Sequence, residues 1–112
     1  MKNKIAIYIL TSLIFLTASA YATTDVIITS TKVGIVDETY ALLIPENQII
    51  EAKPSCAASD ILAWDYTTEH GKMLYSTALA GHITGTEMLV GYDPDNCVMG
   101  NRLKLIKIHI NK

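Results

Sequence analysis

The sequence has few of the residues from which catalytic and metal-binding sites are built. Its 112 residues include two cysteines, three histidines, one tryptophan and one phenylalanine, and its six glycines are scattered. No glycine-rich phosphate-binding loop occurs, and no nucleophile, base and orienting acid stand at a recognisable spacing. These absences predict a protein that is not an enzyme and that binds neither a metal ion nor another cofactor.

Basic residues are also scarce, at nine against eleven acidic residues. A general nucleic-acid-binding protein normally presents a basic face, so this balance argues against nucleic acid as a partner. Four of the bases do crowd near the carboxyl end, at Arg102, Lys104, Lys107 and Lys112. They form either the solvated face of a terminal strand or a contact for an acidic partner.

Long apolar runs are absent after residue 22, whereas one such run dominates the first 22 residues. Lys2 and Lys4 precede an apolar stretch over 5–18, and small residues follow up to Ala22, as in a secretory signal peptide. We expect cleavage near Ala22, which leaves one domain over 23–112 with seven bases and eleven acids, a formal charge of −4. The expected location is secreted or periplasmic, without membrane insertion, and a retained membrane anchor is the alternative.

The two cysteines, Cys56 and Cys97, form an even pair, which in an exported chain is most simply a disulfide. Closing a loop of this length would stabilise the fold by roughly 4 kcal/mol on a chain-entropy argument. A catalytic thiol is the alternative, and it would require a histidine beside one of the cysteines. No local pattern places His70, His82 or His109 there.

Aliphatic and β-branched residues predict a series of strands. These strands are expected at 26–30, 32–37, 40–44, 49–52, 61–66, 87–92 and 102–110. Asp93–Asn96 has the composition of a turn before the final strand. In that strand the apolar positions move from Leu103 and Leu105 to Ile106, Ile108 and Ile110, a slip of one residue that indicates a β-bulge.

One helix is predicted between these strands, from an N-cap at Thr67 or Thr68 to about Thr84, with Gly85 as the stop. Its sheet-facing side is expected to carry Met73, Leu74, Thr77, Ala78 and Gly81. About five strands and a single helix before the last two predict a mainly β fold with one helix. The expected form is a small OB-fold-like barrel of five to six strands, closed or nearly closed.

Two local patterns resemble a known family. Val33–Asp37 followed by Tyr40, and Cys56–Ser59 followed by Trp64 eight residues after the cysteine, resemble the B subunits of subtilase-type and pertussis-like bacterial toxins. The similarity extends over most of the chain, from about residue 24 to 92. The resemblance implies that five copies form a ring, bind glycans on host cells and carry a separate catalytic A subunit.

The resemblance also implies where a glycan would bind. In the family, a serine just before the first strand helps to hold a sialic-acid-type ligand, and Thr24 falls at that place in this chain, with Asp25 after it. Tyr92, in the strand after the helix, is a further candidate. The predicted glycan-binding residues are therefore Thr24, Asp25 and Tyr92.

Other functions are open at this point. An exported barrel of the same shape could bind a protein or peptide in a structural or inhibitory role, with no toxin function. A small hydrolase is a third reading, which the lack of a catalytic constellation disfavours. Trp64 and Tyr66, with Asp65 between them, could present an aromatic face to a sugar ring, but the favoured interpretation is that Trp64 is the main core aromatic of a small domain.

Overall fold

The computed structural model describes residues 22–111, so the predicted signal peptide lies almost entirely outside the described residues. The chain forms a mainly β fold with a single helix among those residues, as predicted. Its elements, in chain order, are β1 (Thr24–Ile28), β2 (Ser30–Val36), β3 (Tyr40–Pro45), β4 (Leu62–Asp65), α1 (Glu69–Thr84), β5 (Met88–Val98) and β6 (Arg102–Ile110).

The six strands form one sheet in the order β1-β5-β6-β4-β3-β2. All neighbouring pairs are antiparallel except β4 and β6, which are parallel. The two outer strands of this order, β1 and β2, are consecutive in the chain and are separated only by Thr29. The sheet must therefore curl, so that its first and last strands come close enough to be joined at Thr29. Counted as one bent strand, they give the five strands of an OB-fold, which is itself a partly open barrel.

The expected barrel is nevertheless not closed. Among residues 22–111, no ladder of hydrogen bonds joins β1 to β2. The bend at Thr29 turns the chain from pairing with β5 to pairing with β3, and Thr29 accepts a hydrogen bond from the backbone N–H of Glu46 at 2.7 Å. Because β1 and β2 are successive parts of one chain, they cannot lie side by side and pair with each other without a reversal, which Thr29 does not provide.

The helix has the ends that the sequence predicts. The hydroxyl of Thr68 accepts a hydrogen bond from the N–H of Gly71 at 2.9 Å, and Gly85 ends the helix with a φ of 65°. The buried side carries Gly71, Leu74, Ala78 and Gly81. Met73 was expected on this side but is 68% exposed, because it precedes Leu74 by one residue and so lies about 100° further round the helix.

The core lies between α1 and the inner face of the curled sheet. Trp64 is 3% exposed, and its indole Nε1 donates a hydrogen bond to the carbonyl of Gly71 at 2.9 Å. Trp64 is therefore the core aromatic, and its ring is not available at the surface to a sugar. The largest fully buried side chains are Tyr92, Leu43, Leu62, Met88, Leu103 and Val90.

Two irregularities shape the last hairpin. Gly91 faces Lys107 and Tyr92 faces Leu105, so Ile106 is an extra residue in β6, which confirms the predicted bulge. The predicted turn at Asp93–Asn96 lies instead within β5, as a protrusion opposite β6. Its local hydrogen bonds are turn-like, since Oδ1 of Asp93 accepts from the N–H of Asp95 at 2.8 Å and of Asn96 at 3.0 Å.

A disulfide joins Cys56 to Cys97, as predicted, with their Cα atoms 6.2 Å apart. It fastens the segment over 46–61 to β5. The strand expected at 49–52 is wrong, because this segment has no strand partner: Ile49 is buried and donates its N–H to Asp60 at 3.1 Å, whereas Ile50 is 87% exposed.

Candidate functional site

The sheet register places the three predicted glycan-binding residues at neighbouring positions, but not on one face of the sheet. In the β1–β5 ladder, Thr24 lies opposite Tyr92 and Asp25 lies opposite Gly91. Next along the same row, Gly91 lies opposite Lys107 of β6. Because successive residues of a strand point to opposite faces, Asp25 lies on the outer face with Gly91 and Lys107. Thr24 and Tyr92 lie on the other face, which carries the buried side chains of β1.

Tyr92 differs from the other two in its exposure. Its side chain is fully buried, and its hydroxyl donates a hydrogen bond to the carbonyl of Ala52 at 2.8 Å. Burial raises the pKa of this hydroxyl, and the negative charges of Glu51 and Asp60 add to that rise. Contact between Tyr92 and a glycan would require its hydroxyl to leave Ala52, so in this structure Tyr92 anchors the 46–61 segment.

Asp25 lies at the surface, where polar groups from two other positions converge on it. Thr23 donates its hydroxyl to Oδ1 at 2.7 Å, and Nζ of Lys107 lies 3.1 Å from Oδ2. The side chains of Asp25 and Lys107 are 40% and 38% exposed, so both are accessible to a ligand. The hydrogen bond from Thr23, followed by that from Lys107, lowers the pKa of Asp25 below its ordinary value.

The ion pair crosses the backbone of β5 at Gly91. A Cβ atom added there would lie 2.7 Å from Cε of Lys107 and 2.8 Å from Oδ1 of Asp25. Glycine therefore allows the two charged side chains to meet over the middle strand. We call this surface the amino-terminal patch and define it by Thr23, Asp25, Gly91 and Lys107.

The amino-terminal patch can bind a polyhydroxylated ligand. Thr23 and Lys107 supply donors and Asp25 supplies two acceptor oxygens, while Gly91 is buried beneath the side chains of Asp25 and Lys107. Asp25 was predicted from the sequence. Thr23 and Lys107 were missed as site residues, because only the register across three strands shows that they meet.

The remaining chemical candidates have structural partners. Both cysteines are in the disulfide, which leaves no free thiol for nucleophilic catalysis. Nε2 of His70 lies 3.0 Å from the carbonyl oxygen of Ile106, and Nδ1 of His82 lies 2.8 Å from the hydroxyl oxygen of Ser30. Within the described range, no group of three or more His, Cys, Asp or Glu side chains is arranged to hold a metal ion.

A cleft of about 340 Å³ was also missed by the sequence analysis. It lies between β6 and the junction of β4 with α1, where Trp64, Leu74 and Leu105 line it beside Asp65, His70 and Lys104. Hydrogen bonds from the hydroxyl and N–H of Thr67 lower the pKa of Asp65. The cleft arises because β4 stops at Asp65 while β6 continues, a length difference that the predicted strands already contained.

Comparison of the chain with known protein families, characterised proteins and solved structures finds no match. The resemblance to toxin B subunits therefore stays a prediction. Between residues 22 and 111, no helix has both the length and the apolar character needed to cross a membrane.

Proposed function

We propose that this chain is a secreted glycan-binding module of the toxin B-subunit type, with no catalytic activity of its own. It forms a ring of identical subunits, most simply a pentamer, and can deliver a separate enzymatic subunit. The observation that carries the proposal is the convergence of Thr23, Asp25 and Lys107 over Gly91 in the amino-terminal patch.

Two physical arguments support this proposal. Several neutral or charge-assisted hydrogen bonds, each worth about 0.5–3 kcal/mol net, give one patch a modest affinity for a sugar. Repetition of the patch around a ring raises the avidity without any new contact. The Cys56–Cys97 disulfide fits an oxidising compartment such as the cell exterior, which is where such a module would meet surface glycans.

The test is a glycan array with the protein over residues 23–112. The wild type should bind a sialylated or related surface glycan, and Thr23→Ala should lower the avidity at least tenfold without changing the fold or the oligomer mass. The matched control is Thr31→Ala, at an exposed threonine of β2 whose hydroxyl donates to the carbonyl of Ile44 and not to the amino-terminal patch; it should bind like the wild type.

Asp25→Asn separates binding from folding. The substitution keeps the shape of the side chain and removes its charge, and exposed ion pairs such as Asp25–Lys107 contribute only about 0–1 kcal/mol to stability. We expect weaker glycan binding with a nearly unchanged unfolding midpoint, whereas Asp95→Asn, at another exposed carboxylate, should change neither. Absence of any glycan signal above background for the wild type would refute the proposal.

A second candidate function is binding of a protein or peptide, with no toxin role. A different observation favours it, namely the cavities between α1 and β6. Because these cavities are lined mostly by aliphatic groups and basic side chains, they suit a different class of ligand from the amino-terminal patch.

A further inference from the structure

Two cavities lie end to end along the contact between α1 and β6. The first is the cleft of about 340 Å³ described above, and the second, of about 200 Å³, is lined by Met73 and Thr77 of the helix and by Lys107 and His109 of the strand. His70 and Leu74 line both cavities. We call the two together the helix–strand groove.

The groove is open because β6 lacks a second strand partner along most of its length. β4 pairs with β6 only at Leu62–Leu103 and Ala63–Lys104, and in the described part of the chain no other strand pairs with that edge. The carbonyl of Ile106 on this edge lies 3.0 Å from Nε2 of His70. The edge of β6 therefore faces the groove; its Ile106 carbonyl is contacted by His70, and the backbone groups beyond it along this edge can pair with the backbone of an extended segment.

The side chains along the groove indicate the chemistry of that segment. Leu74, Leu105 and Ile106 form an apolar floor, and the exposed side chain of Met73 extends it. Basic groups along β6 are supplied by Lys104, Lys107 and His109. Lys104 and Lys107 belong to the group of bases near the carboxyl end that the sequence shows.

Acidic groups lie at the ends of the groove and, at Asp93 of β5, near Lys104. Asp65 lies at one end of it, and Asp25 shares Lys107 at the other. Glu69, at the start of α1, is paired with Lys72 at 3.8 Å. Lys104 forms no salt bridge among residues 22–111, although the carboxylate of Asp93 in β5 lies within electrostatic reach of it. Lys104, at the first cavity, is therefore the basic side chain best placed to pair with an acidic ligand.

We propose that the helix–strand groove binds an extended, acidic segment of a partner protein, whose backbone pairs with the free edge of β6. Aliphatic side chains of the segment enter the two cavities, and its carboxylates face Lys104, Lys107 and His109. A peptide fits better than a glycan here, because the one indole, although it lines the first cavity, is only 3% exposed and too little of it is accessible for a sugar ring to stack on, whereas an unpaired strand edge matches a peptide backbone. This proposal is independent of glycan binding at the amino-terminal patch.

The test is a selection from a phage-displayed library of random dodecapeptides on the protein over residues 23–112, followed by affinity measurement with synthetic copies of the enriched peptides. We expect enriched sequences that alternate aliphatic residues with Asp or Glu. Lys104→Glu and Met73→Glu should each weaken their binding at least tenfold. The matched controls are Lys32→Glu, with the same charge change on β2, and Ser76→Glu, at an exposed position one turn along α1 from Met73. Neither control should change the affinity.

Backbone pairing has its own readout. An enriched peptide is made in two methylated forms, one with N-methyl groups on its odd-numbered residues and one on its even-numbered residues. Only alternate residues of a strand pair with one neighbour, so one form should lose binding and the other should keep it. Circular dichroism and the fluorescence of Trp64 confirm that each variant is folded.

Three results would overturn the proposal. The first is a selection with no enrichment over a support without protein. The second is enrichment of peptides that bind Lys104→Glu and Met73→Glu as well as they bind the wild type. The third is binding of a heparin oligosaccharide, but of no peptide, that is lost in the same two variants, which would assign the groove to acidic glycans.

Discussion

Gly71 is the position where a single methyl group should disturb the fold most. It lies in the first turn of α1, and a Cβ atom added there would be 1.8 Å from the backbone carbonyl oxygen of Asp65 and 3.0 Å from the hydroxyl oxygen of Thr68. A backbone oxygen cannot rotate away, so Gly71→Ala must push the start of the helix away from β4.

The expected cost follows from what that shift breaks. Overpacking in a well-packed region costs about 1–3 kcal/mol. The indole N–H of Trp64 would lose the carbonyl of Gly71, and a buried donor without a partner costs a further 1–3 kcal/mol or so. Alanine is better than glycine in a helix by about 1 kcal/mol, which offsets part of the loss. We therefore expect Gly71→Ala to lower the free energy of unfolding by about 2–4 kcal/mol.

Urea unfolding followed by tryptophan fluorescence measures this directly, since Trp64 is the one tryptophan and touches the altered residue. With a slope of about 1–1.5 kcal/mol per molar, the midpoint should fall by roughly 2–3 M. Gly34→Ala is the control, because a Cβ at Gly34 meets nothing within 4 Å. If the free energies of unfolding of Gly71→Ala and Gly34→Ala differ by less than about 0.5 kcal/mol, the close approach of Gly71 to the Asp65 carbonyl does not limit the residue at this position.

Three further predictions concern the disulfide, the buried tyrosine and assembly. Replacing Cys56 and Cys97 by serine should lower the free energy of unfolding by about 4 kcal/mol, since the closed loop spans 41 positions, and two thiols that alkylate in the native protein would contradict this. Folding raises the pKa of Tyr92, so the stabilisation that its protonated hydroxyl gives to the folded state is complete below the unfolded pKa near 10 and is lost as the pH rises through the folded pKa. The free energy of unfolding should therefore fall above about pH 10. Tyr92→Phe should remove that part of the pH dependence and cost about 0.5–1.5 kcal/mol at neutral pH, and an unchanged alkaline profile would refute the assignment. Finally, light scattering at tens of micromolar should show a closed oligomer, most simply a pentamer, whereas a monomer would favour the peptide-binding alternative.

Features with local causes were predictable from the sequence. The helix ends at Gly85 because a left-handed φ is easiest for glycine, and it begins after Thr68 because a hydroxyl there caps the free N–H of Gly71. The bulge at Ile106 was visible as a slip in the apolar alternation of β6. The pairing of Cys56 with Cys97 needed only the count of cysteines and an oxidising compartment.

Features that depend on distant contacts were predicted less well. Ile49–Ala52 has the aliphatic composition of a strand, yet the N–H of Ile49 is taken by Asp60, eleven residues along the chain. Tyr92 was predicted to contact a glycan, and its burial could not be seen from the sequence, because its inward direction depends on the register of β5 and on a hydrogen bond to Ala52, forty residues away. Closure of a barrel likewise depends on the bend at Thr29, which no local pattern reports.

The two proposed binding surfaces share one strand, and this allows them to be tested against each other. Lys107 pairs with Asp25 in the amino-terminal patch and also lines the second cavity of the helix–strand groove. A ligand in the patch and a ligand in the groove would therefore compete for the ammonium group of Lys107. Thr23→Ala lies in the patch alone and Met73→Glu in the groove alone, so each should affect one ligand class only. If both variants weakened the same ligand, the patch and the groove would be parts of one continuous site that meets at Lys107.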